Sequence, residues 1–385
     1  MNTTTPDDDR LRAAWADFCT RLQAAGELVF RDTAPATPLD RAMGLQYLAR
    51  YVTKALHEKL EFNDPQYPQL WMLQSPTHKS FGDNPDCTYH VARIDGFNTY
   101  RIVGNRGTVK WVSFLAHPGA LNNADLQVEW DGSFQVWLSP EECPVNWIRT
   151  EPDTTQVMVR QFFGDWSAEQ PMQMRIERLG AEGAPALLTP DALVAGLDAA
   201  IGWLDEDTHR WADWIDFYRD RPNEFVVGMP DWAGGGAQSA LGRLLHFCYW
   251  RVEPDQALVI RATPPPCFYW NFELDNYWMN SADNRYHLSS LNSEQAVLEY
   301  DGSLVIVVAH VDPGVPNWLD TSGHTVGLMP QRWVEAETGS TPSATLVTLS
   351  DLEGELGPEV RRITEEQRRE QLRLRKIGVD RRFPI

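Results

Sequence analysis

The chain has 385 residues, of which 43% are hydrophobic, so it has enough core for two or three globular domains. Its formal net charge of −20 excludes a large electrostatic grip on nucleic acid or on an anionic membrane. The five cysteines are odd in number and form no CxxC motif, which is typical of free thiols in a reducing compartment. We therefore expect an acidic, cytoplasmic protein with no nucleic-acid and no membrane partner.

Helices are predicted before strands in the first half of the chain. Asp7 to Asp9 precede a first amphipathic helix, and a second helix is predicted from about Pro38 to Leu60. The prolines of Asn63-Asp-Pro-Gln-Tyr-Pro68 end it. Strands are predicted at 89–94, 99–103, 108–114, 155–163 and 172–179. We assign residues 1–64 to an N-terminal helical segment and 65–185 to a first β unit.

The second half repeats this order. A long helix is predicted from Pro190 to Arg221, and a shorter one from about Gln238 to Tyr249. The glycines 234–236 before it predict a flexible loop, because a phosphate-binding loop would need a lysine that is missing here. Strands begin again near Ala257. We assign residues 186–252 to a central helical segment, 253–350 to a second β unit and 351–385 to a C-terminal helix and tail.

Two stretches of sequence occur twice. Glu299-Tyr-Asp-Gly-Ser303 repeats Glu129-Trp-Asp-Gly-Ser133, and Asn317-Trp318 repeats Asn146-Trp147 at nearly the same separation. Asp-Gly between alternating apolar runs predicts a hairpin with a tight primed turn. The period is too long for a solenoid. We predict an α+β fold, internally duplicated, with two antiparallel β-sandwich-like (jelly-roll-like) units, each preceded by helices, plus a C-terminal helix.

A longer motif suggests a family. Asp312-Pro-Gly-Val-Pro-Asn-Trp-Leu-Asp-Thr321, followed by Gly323-His324 and Arg332-Trp333, resembles bacterial proteins that carry the domain of unknown function 1214. Leu291-Asn292 lies where that pattern places it, and Asp83-Asn-Pro-Asp86 resembles the N-terminal half of longer members. The resemblance extends from about Phe81 to Trp333. It implies a β-rich sandwich, and the family carries no settled activity to transfer.

Comparison of the two copies distinguishes residues that are predicted to be structural from residues that are candidates for catalysis or binding. Residues shared by both copies, such as the Asn-Trp pairs, are predicted to be scaffold. Arg160 and Arg332 lie in corresponding predicted strands with slightly different registers.

The second copy alone carries His310, Asp312, Asp320 and His324. Asp320 and His324 flank a glycine-containing loop and are close enough in sequence for the carboxylate to orient the imidazole. The alternative is that Asp320 caps the loop backbone and His324 is an ordinary loop residue. His310 and Asp312 have the residue types of a metal site, but no HxxxH or HExxH motif is present, so no metal is expected.

The stretch from Cys267 to Trp278 also differs between the two copies. Its apolar residues share one face of a predicted strand, and the other face carries Tyr269, Asn271, Glu273, Asp275 and Tyr277. This pattern fits a polar pocket wall or a solvent-exposed sheet face. In a closed pocket, burial and mutual repulsion of the two carboxyls would raise one pKa and produce an acid/base pair.

These residues predict an enzyme of simple chemistry. We expect a cofactor-independent hydrolase or lyase that acts on a small, largely uncharged organic molecule, with no cofactor and no metal. His324 is predicted as general acid/base, Asp320 as its orienting group, and Glu273 or Asp275 as a second proton-transfer group. The predicted substrate-binding residues are Asn271, Tyr269, Tyr277, Arg332, Trp318 and His310. The alternative is a non-catalytic small-molecule-binding or assembly module, and the sequence leaves open whether the protein is a homo-oligomer.

Overall fold

A computed structural model describes residues 5–229, 238–239 and 243–383, and the glycines 234–236 lie outside these ranges. The α-helices are α1 (Pro6–Ala25), α2 (Pro38–Leu56), α3 (Pro190–Arg219), α4 (Leu352–Leu356) and α5 (Glu365–Arg382). A π-helical turn, His57–Glu61, extends α2. Four helices start at a threonine that accepts a hydrogen bond from the backbone N–H three residues later: Thr5, Thr37, Thr189 and Thr364. These caps explain where the helices begin.

The first β unit is a sandwich of two sheets. Its strands are β1 (Trp71–Gln74), β2 (Cys87–Arg93), β3 (Tyr100–Asn105), β4 (Trp111–Ala116), β5 (Gly119–Asn122), β6 (Ser133–Ser139), β7 (Trp147–Arg149), β8 (Gln156–Phe162) and β9 (Gln173–Arg178). One sheet has the order β1-β2-β8-β4-β5 and the other the order β7-β6-β3-β9. Buried Ile102, Phe114 and Val136 lie in the core between them.

The second β unit has the same plan. Its strands are β10 (Phe225–Val227), β11 (Gln238–Ser239), β12 (Arg243–Arg251), β13 (Gln256–Ala262), β14 (Tyr269–Glu273), β15 (Asp275–Asn276), β16 (Ser290–Asn292), β17 (Leu304–Ala309), β18 (Trp318–Asp320), β19 (Val326–Val334) and β20 (Ser343–Thr348). The sheet orders are β10-β12-β19-β14-β16 and β18-β17-β13-β20, with β11 beside β12 and β15 beside β19. The two units therefore match strand by strand, which confirms the predicted duplication.

The repeated Asn-Trp pairs make the same contacts in both units. The Asn146 side chain accepts from the Gln127 N–H and donates to the Gln127 and Gln135 carbonyls. Asn317 makes the same three bonds to the backbone of Val297 and Val305. The indole N–H groups of Trp147 and Trp318 donate to backbone carbonyls of the adjacent strand, at 3.0 Å in each case. These residues hold a loop against a sheet, as predicted for scaffold.

The Asp-Gly turns differ from the predicted primed turn. Gly132 and Gly302 both have φ +83°, and each donates its N–H to the carbonyl three residues earlier. The positive φ thus falls on the residue after the turn, as in a type I turn followed by a glycine bulge. The predicted turn type was wrong, and so was the predicted hairpin, because the strands on either side of each turn (β5 and β6, β16 and β17) lie in different sheets.

The described residues of the helix predicted at 238–249 form strands instead, β11 at 238–239 and β12 from residue 243 onwards. β12 pairs with β19 in an unbroken antiparallel ladder from Arg243 opposite Val334 to Arg251 opposite Val326. A short apolar run does not distinguish a buried strand from a buried helix, and here the neighbouring strand decides the outcome. The segment 186–252 is therefore α3 followed by the first strands of the second unit.

Helices cover the second unit more than the first. Residues of α1, α2 and α3 form one buried cluster with Phe247 of β12, Trp278 and Leu328 of β19. Helix α5 contacts both units, because Arg368 pairs with Asp312 while Arg382 donates to the Pro85 carbonyl. Within the described ranges, no helix has the length and apolar character needed to cross a membrane.

Candidate functional site

Asp320 and His324 do not form the predicted pair. His324 Nδ1 lies 2.9 Å from Asp40 Oδ1, and Asp320 Oδ2 lies 2.7 Å from His287 Nδ1. Between them, Ser322 and Gly323 both have left-handed backbone, with φ +54° and +85°, and this tight loop sends the two side chains to different partners. Asp320 Oδ1 accepts from the Ser322 N–H at 2.8 Å, so it caps the loop as well.

Several predicted binding residues make local contacts of their own. Tyr277 Oη donates to Asp216 Oδ1 of α3 at 3.0 Å and accepts from Arg31, in the segment between α1 and α2, and among the described residues it forms no hydrogen bond with His324 or Asp320. His310 lies between the Val252 carbonyl, at 2.9 Å, and Thr321 Oγ1, at 3.0 Å. Asp312 pairs with Arg368. Among the described residues, no group of three or more His, Cys, Asp or Glu side chains is arranged to hold a metal.

The polar face of β14 is buried, and the solvent-exposed alternative is wrong. Tyr269 is 1% exposed, and Asn271, Glu273 and Asp275 are 0% exposed. The loop before β2 in the first unit covers them. Tyr269 Oη donates to Asp86 Oδ2 at 2.6 Å, and Asn271 Nδ2 donates to Asn84 Oδ1 at 3.1 Å. The polar face of the second unit is therefore sealed by the first.

Glu273, Asn271 and Arg332 form a compact cluster inside this interface. Arg332 Nη1 lies 2.9 Å from Glu273 Oε1 and 3.3 Å from Asn271 Oδ1, and Asn271 Nδ2 donates to Glu273 Oε2 at 3.1 Å. Arg332 and Asn271 are directly opposite each other in β19 and β14. The cluster thus rests on two paired strands, which fixes its geometry.

Asp275 lies beside this cluster with no hydrogen-bond partner for either carboxyl oxygen. Burial raises its pKa well above the usual range, and the negative charges of Glu273 and Asp83 raise it further. Burial also raises the pKa of Glu273, to about 8, although the adjacent Arg332 acts in the opposite direction. Because Glu273 has a cationic partner and Asp275 has none, we assign Asp275 as a neutral acid and Glu273 as the group that ionises first.

Only the second unit has this arrangement. Arg160 is opposite Ser113 in the first unit as Arg332 is opposite Asn271 in the second, so the two arginines share one register and the predicted offset was wrong. Two residues further along the strand, Leu115 stands in the position of Glu273. The carboxyl cluster is therefore a feature of one copy built on a shared scaffold.

The loop that seals the cluster contains residues that the sequence interpretation missed. Asp83 accepts from the Ser281 hydroxyl at 2.8 Å, and Asp86 accepts from the Asn292 side chain at 2.7 Å. Phe81 in the same loop has φ +35°, an uncommon value for a residue other than glycine. The Asp83-Asn-Pro-Asp86 motif was a signal in the sequence, but only the fold places it across from β14.

A cleft of about 790 Å³ opens on the other side of this loop. Its walls come from α2 and its π-helical turn, from α3, and from β1, β2 and β8. Five aromatic side chains line it: Phe62, Trp71, Phe81, Trp203 and Trp211. Tyr89 and Phe81 both pack against the small core of Trp71, Leu73 and Val91, and Tyr89 is close enough to Arg332 and Glu273 for their charges to act on its hydroxyl. Glu273 and Asp275 do not line the cleft, and Tyr89 lies between the cleft and the carboxyl cluster.

A smaller cavity of about 340 Å³ lies under α5 and is lined by Trp318, Trp166 and Arg375 among others. It explains the exposed edge of Trp318, but the Glu273 and Asp275 side chains are not part of its lining.

Comparison with known proteins places the chain in a family. The model of the family "Protein of unknown function (DUF1214)" matches residues 253–330. A solved structure, of a putative uncharacterized protein from Burkholderia cenocepacia, is 36% identical with a TM-score of 0.84, covering 89% of this chain and 99% of that one. The chain belongs to the DUF1214 family. A second solved structure, of the VPA0106 protein from Vibrio parahaemolyticus, is 11% identical with a TM-score of 0.47 over 85% of this chain and 100% of that one. No curated protein matches the chain.

The DUF1214 segment contains β14 and β15, and with them Glu273 and Asp275. It ends two residues before Arg332, and every residue that lines the aromatic cleft is outside it. The carboxyl pair thus belongs to the part of the chain that defines DUF1214, whereas the cleft is supplied by the preceding half.

Proposed function

We propose that this DUF1214 protein is a cofactor-independent acid–base enzyme, a hydrolase or a lyase, that acts on a small, largely uncharged organic molecule. The observation that carries the proposal is the buried carboxyl pair, in which Glu273 has Arg332 at 2.9 Å and Asp275 has no hydrogen-bond partner. Two carboxyls in such different environments hold their protons differently at one pH, which is what paired acid and base catalysis requires.

Each member of the cluster has a role in this scheme. Asp275, kept neutral by burial, donates its proton to the leaving oxygen of the substrate. Glu273, in its ionised form, accepts a proton from water or from a carbon next to a carbonyl. Arg332 stabilises negative charge that develops on a substrate oxygen. His324 and Asp320 are left out of this scheme, since each is paired with a different residue.

The aromatic cleft is the proposed route and binding space for the substrate. Its rings favour an apolar or flat molecule. The charged residues of its lining include both signs: Lys54, Lys59, Arg93, Arg210, Glu58 and Asp207. Lys59 and Arg210 pair with Glu58 and Asp207, so these four charges offset one another, in keeping with a largely uncharged substrate. Tyr89 connects this space to the carboxyl cluster.

Turnover by matched variants tests the proposal. We would screen the wild-type protein against esters, lactones and β-hydroxy carbonyl compounds at pH 9, where Glu273 with its pKa of about 8 is ionised. For a substrate that is turned over, Asp275→Asn and Glu273→Gln are each expected to lower the rate by about 10²–10⁴-fold. Asp301→Asn, at an exposed turn, serves as the control and leaves the rate unchanged. Wild-type turnover in both cluster variants rejects the proposed roles.

The runner-up is a non-catalytic binding or assembly module. It is favoured by the same interface, because Tyr269–Asp86 and Asn271–Asn84 hydrogen bonds join the two units directly. In that case the two cluster variants would lose stability, and no compound of the panel would be turned over by the wild-type protein.

A further inference from the structure

Lys54 differs from the other lysines of the chain in the partner of its amine. The sequence has five lysines, and the described ranges include them all. Three pair with carboxylates: Lys59 with Glu58, Lys110 with Glu294 and Lys376 with Asp380. Lys79 donates to two backbone carbonyls. Lys54 donates only to a neutral hydroxyl, Ser80 Oγ at 3.0 Å, and no ion pair of the described residues includes it.

The Lys54 amine lies among the aromatic walls of the cleft. Nζ is 3.9 Å from the ring centre of Phe81 and 5.4 Å from that of Trp203, and both rings line the cleft together with Lys54. The side chain is 3% exposed. A buried amine without a counter-ion is costly unless it gives up its proton or gains a ligand.

Burial makes the neutral amine of Lys54 accessible near neutral pH. Burial lowers its pKa to about 7, and the positive charge of Lys59 lowers it further. Glu58, Asp207 and Asp83 act in the opposite direction without cancelling the effect of burial. A large share of the amine is therefore unprotonated near neutral pH, which is the form that attacks carbonyl carbon.

We propose that Lys54 forms a reversible imine with a small aromatic aldehyde or ketone bound in the cleft. The Nζ lone pair attacks the carbonyl carbon, a C–N bond forms, and the carbonyl oxygen leaves as water after accepting protons. Nothing is oxidised or reduced in this step. The Ser80 hydroxyl, 3.0 Å from Nζ, is placed to relay one of these protons. The aromatic lining holds the ring of the ligand, and the cleft of about 790 Å³ has room for it.

Reductive trapping tests this inference. Full-length protein is incubated at pH 7 with benzaldehyde and sodium cyanoborohydride, which delivers hydride to the imine carbon and leaves a stable N-benzyl lysine. Intact mass and peptide mapping then locate the adduct. We expect one lysine adduct, on Lys54, that is absent in Lys54→Arg and retained in Lys110→Arg, a lysine outside the cleft. Labelling spread over Lys59, Lys110 and Lys376, or an unlabelled Lys54 in the wild-type protein, would overturn the proposal.

A second variant tests the proposal independently of whether Lys54→Arg folds. Ala199 is exposed on α3 and lines the cleft, so Ala199→Trp fills the space while leaving Lys54 in place. Labelling of Lys54 is expected to slow at least tenfold in this variant. Equal labelling in Ala199→Trp and wild type would show that the cleft does not hold the aldehyde. Asp275→Asn is expected to keep the Lys54 adduct, because the imine does not depend on the proposed carboxyl chemistry.

Discussion

Asp40 and His324 form a buried pair that joins α2 to the loop before β19, with Oδ1 and Nδ1 2.9 Å apart. The second carboxylate oxygen accepts from Thr37 Oγ1 at 2.6 Å. Asp40 therefore forms hydrogen bonds both with the threonine at the start of its own helix and with a histidine of the second β unit. This pair replaces the Asp320–His324 pair that proximity in sequence suggested.

A double-mutant cycle distinguishes the two pairings. Asp40→Asn and His324→Gln are expected to be coupled in the free energy of unfolding by about 0.5–3 kcal/mol, because they remove the same buried interaction. Asp320→Asn and His324→Gln, measured by urea unfolding in the same way, are expected to be additive. Coupling between the second pair and none between the first would contradict the assignment.

The buried carboxyls predict an unusual pH dependence of stability. Glu273 has a pKa of about 8 in the folded protein against 4.5 in an unfolded chain, so the folded state binds the extra proton. Its stabilising contribution is complete below pH 4.5 and is lost as the pH rises through about 8. Asp275 acts in the same direction from its own unfolded value of 3.8 upwards. Stability from this cluster therefore falls between about pH 5 and 8.

Asp275→Asn isolates this effect, because the amide stays neutral at every pH. Relative to wild type, the variant is expected to gain stability on going from pH 5 to pH 8, as measured by urea midpoints at each pH. Infrared spectroscopy at pH 9, where Glu273 with its pKa of about 8 is ionised, provides a second readout, since the wild-type protein should show a carboxylic-acid C=O band that Asp275→Asn removes. Parallel stability curves for the two proteins would mean that Asp275 is ionised when folded.

Asn146 and Asn317 provide a test of the duplicated scaffold. Each side chain makes three hydrogen bonds to backbone groups, with lengths between 2.7 and 2.9 Å. Replacement of either by alanine leaves buried backbone groups without partners, so each variant is expected to lose about 1–3 kcal/mol of unfolding free energy. Asn98→Ala, a loop residue outside both pairs, is the comparison. A loss of unfolding free energy in only one of the two variants would show that the two loops no longer play the same structural role.

Local sequence signals were sufficient for much of the fold. The strands predicted at 155–163 and 172–179 correspond to β8 (Gln156–Phe162) and β9 (Gln173–Arg178), within one residue at each end. Strand β12 was missed because an apolar run such as Leu244 to Trp250 has no periodicity of its own and takes its conformation from β19. In this segment the local sequence predicted a helix, but pairing with β19 makes it a strand.

The candidate site was predictable only where its residues lie on one strand. Glu273 and Asp275 alternate on β14 and β15, so their shared face could be read from spacing. The partners of that face come from Asp83 to Asp86, far away in sequence, and no local pattern brings them there. Lys54 was missed for a related reason: a lysine on an amphipathic helix is normally solvated, and its burial results from the packing of α3 and the Phe81 loop.

Gly327 tests how closely β19 must approach the proposed acid. A Cβ at Gly327 would lie 2.0 Å from the Asp275 carbonyl oxygen and 2.9 Å from Trp250 Nε1, which donates to that same oxygen. Gly327→Ala therefore forces β15 away from β19 and is expected to lose about 1–3 kcal/mol of unfolding free energy, together with the infrared band of the neutral acid. Gly354→Ala in α4 meets no atom within 4 Å and is expected to gain about 0.5–1 kcal/mol, since alanine favours a helix over glycine. If Gly327→Ala unfolds at the wild-type urea concentration and keeps the band, then the environment of Asp275 does not depend on this contact, and its neutral state must come from the loop of the first unit alone.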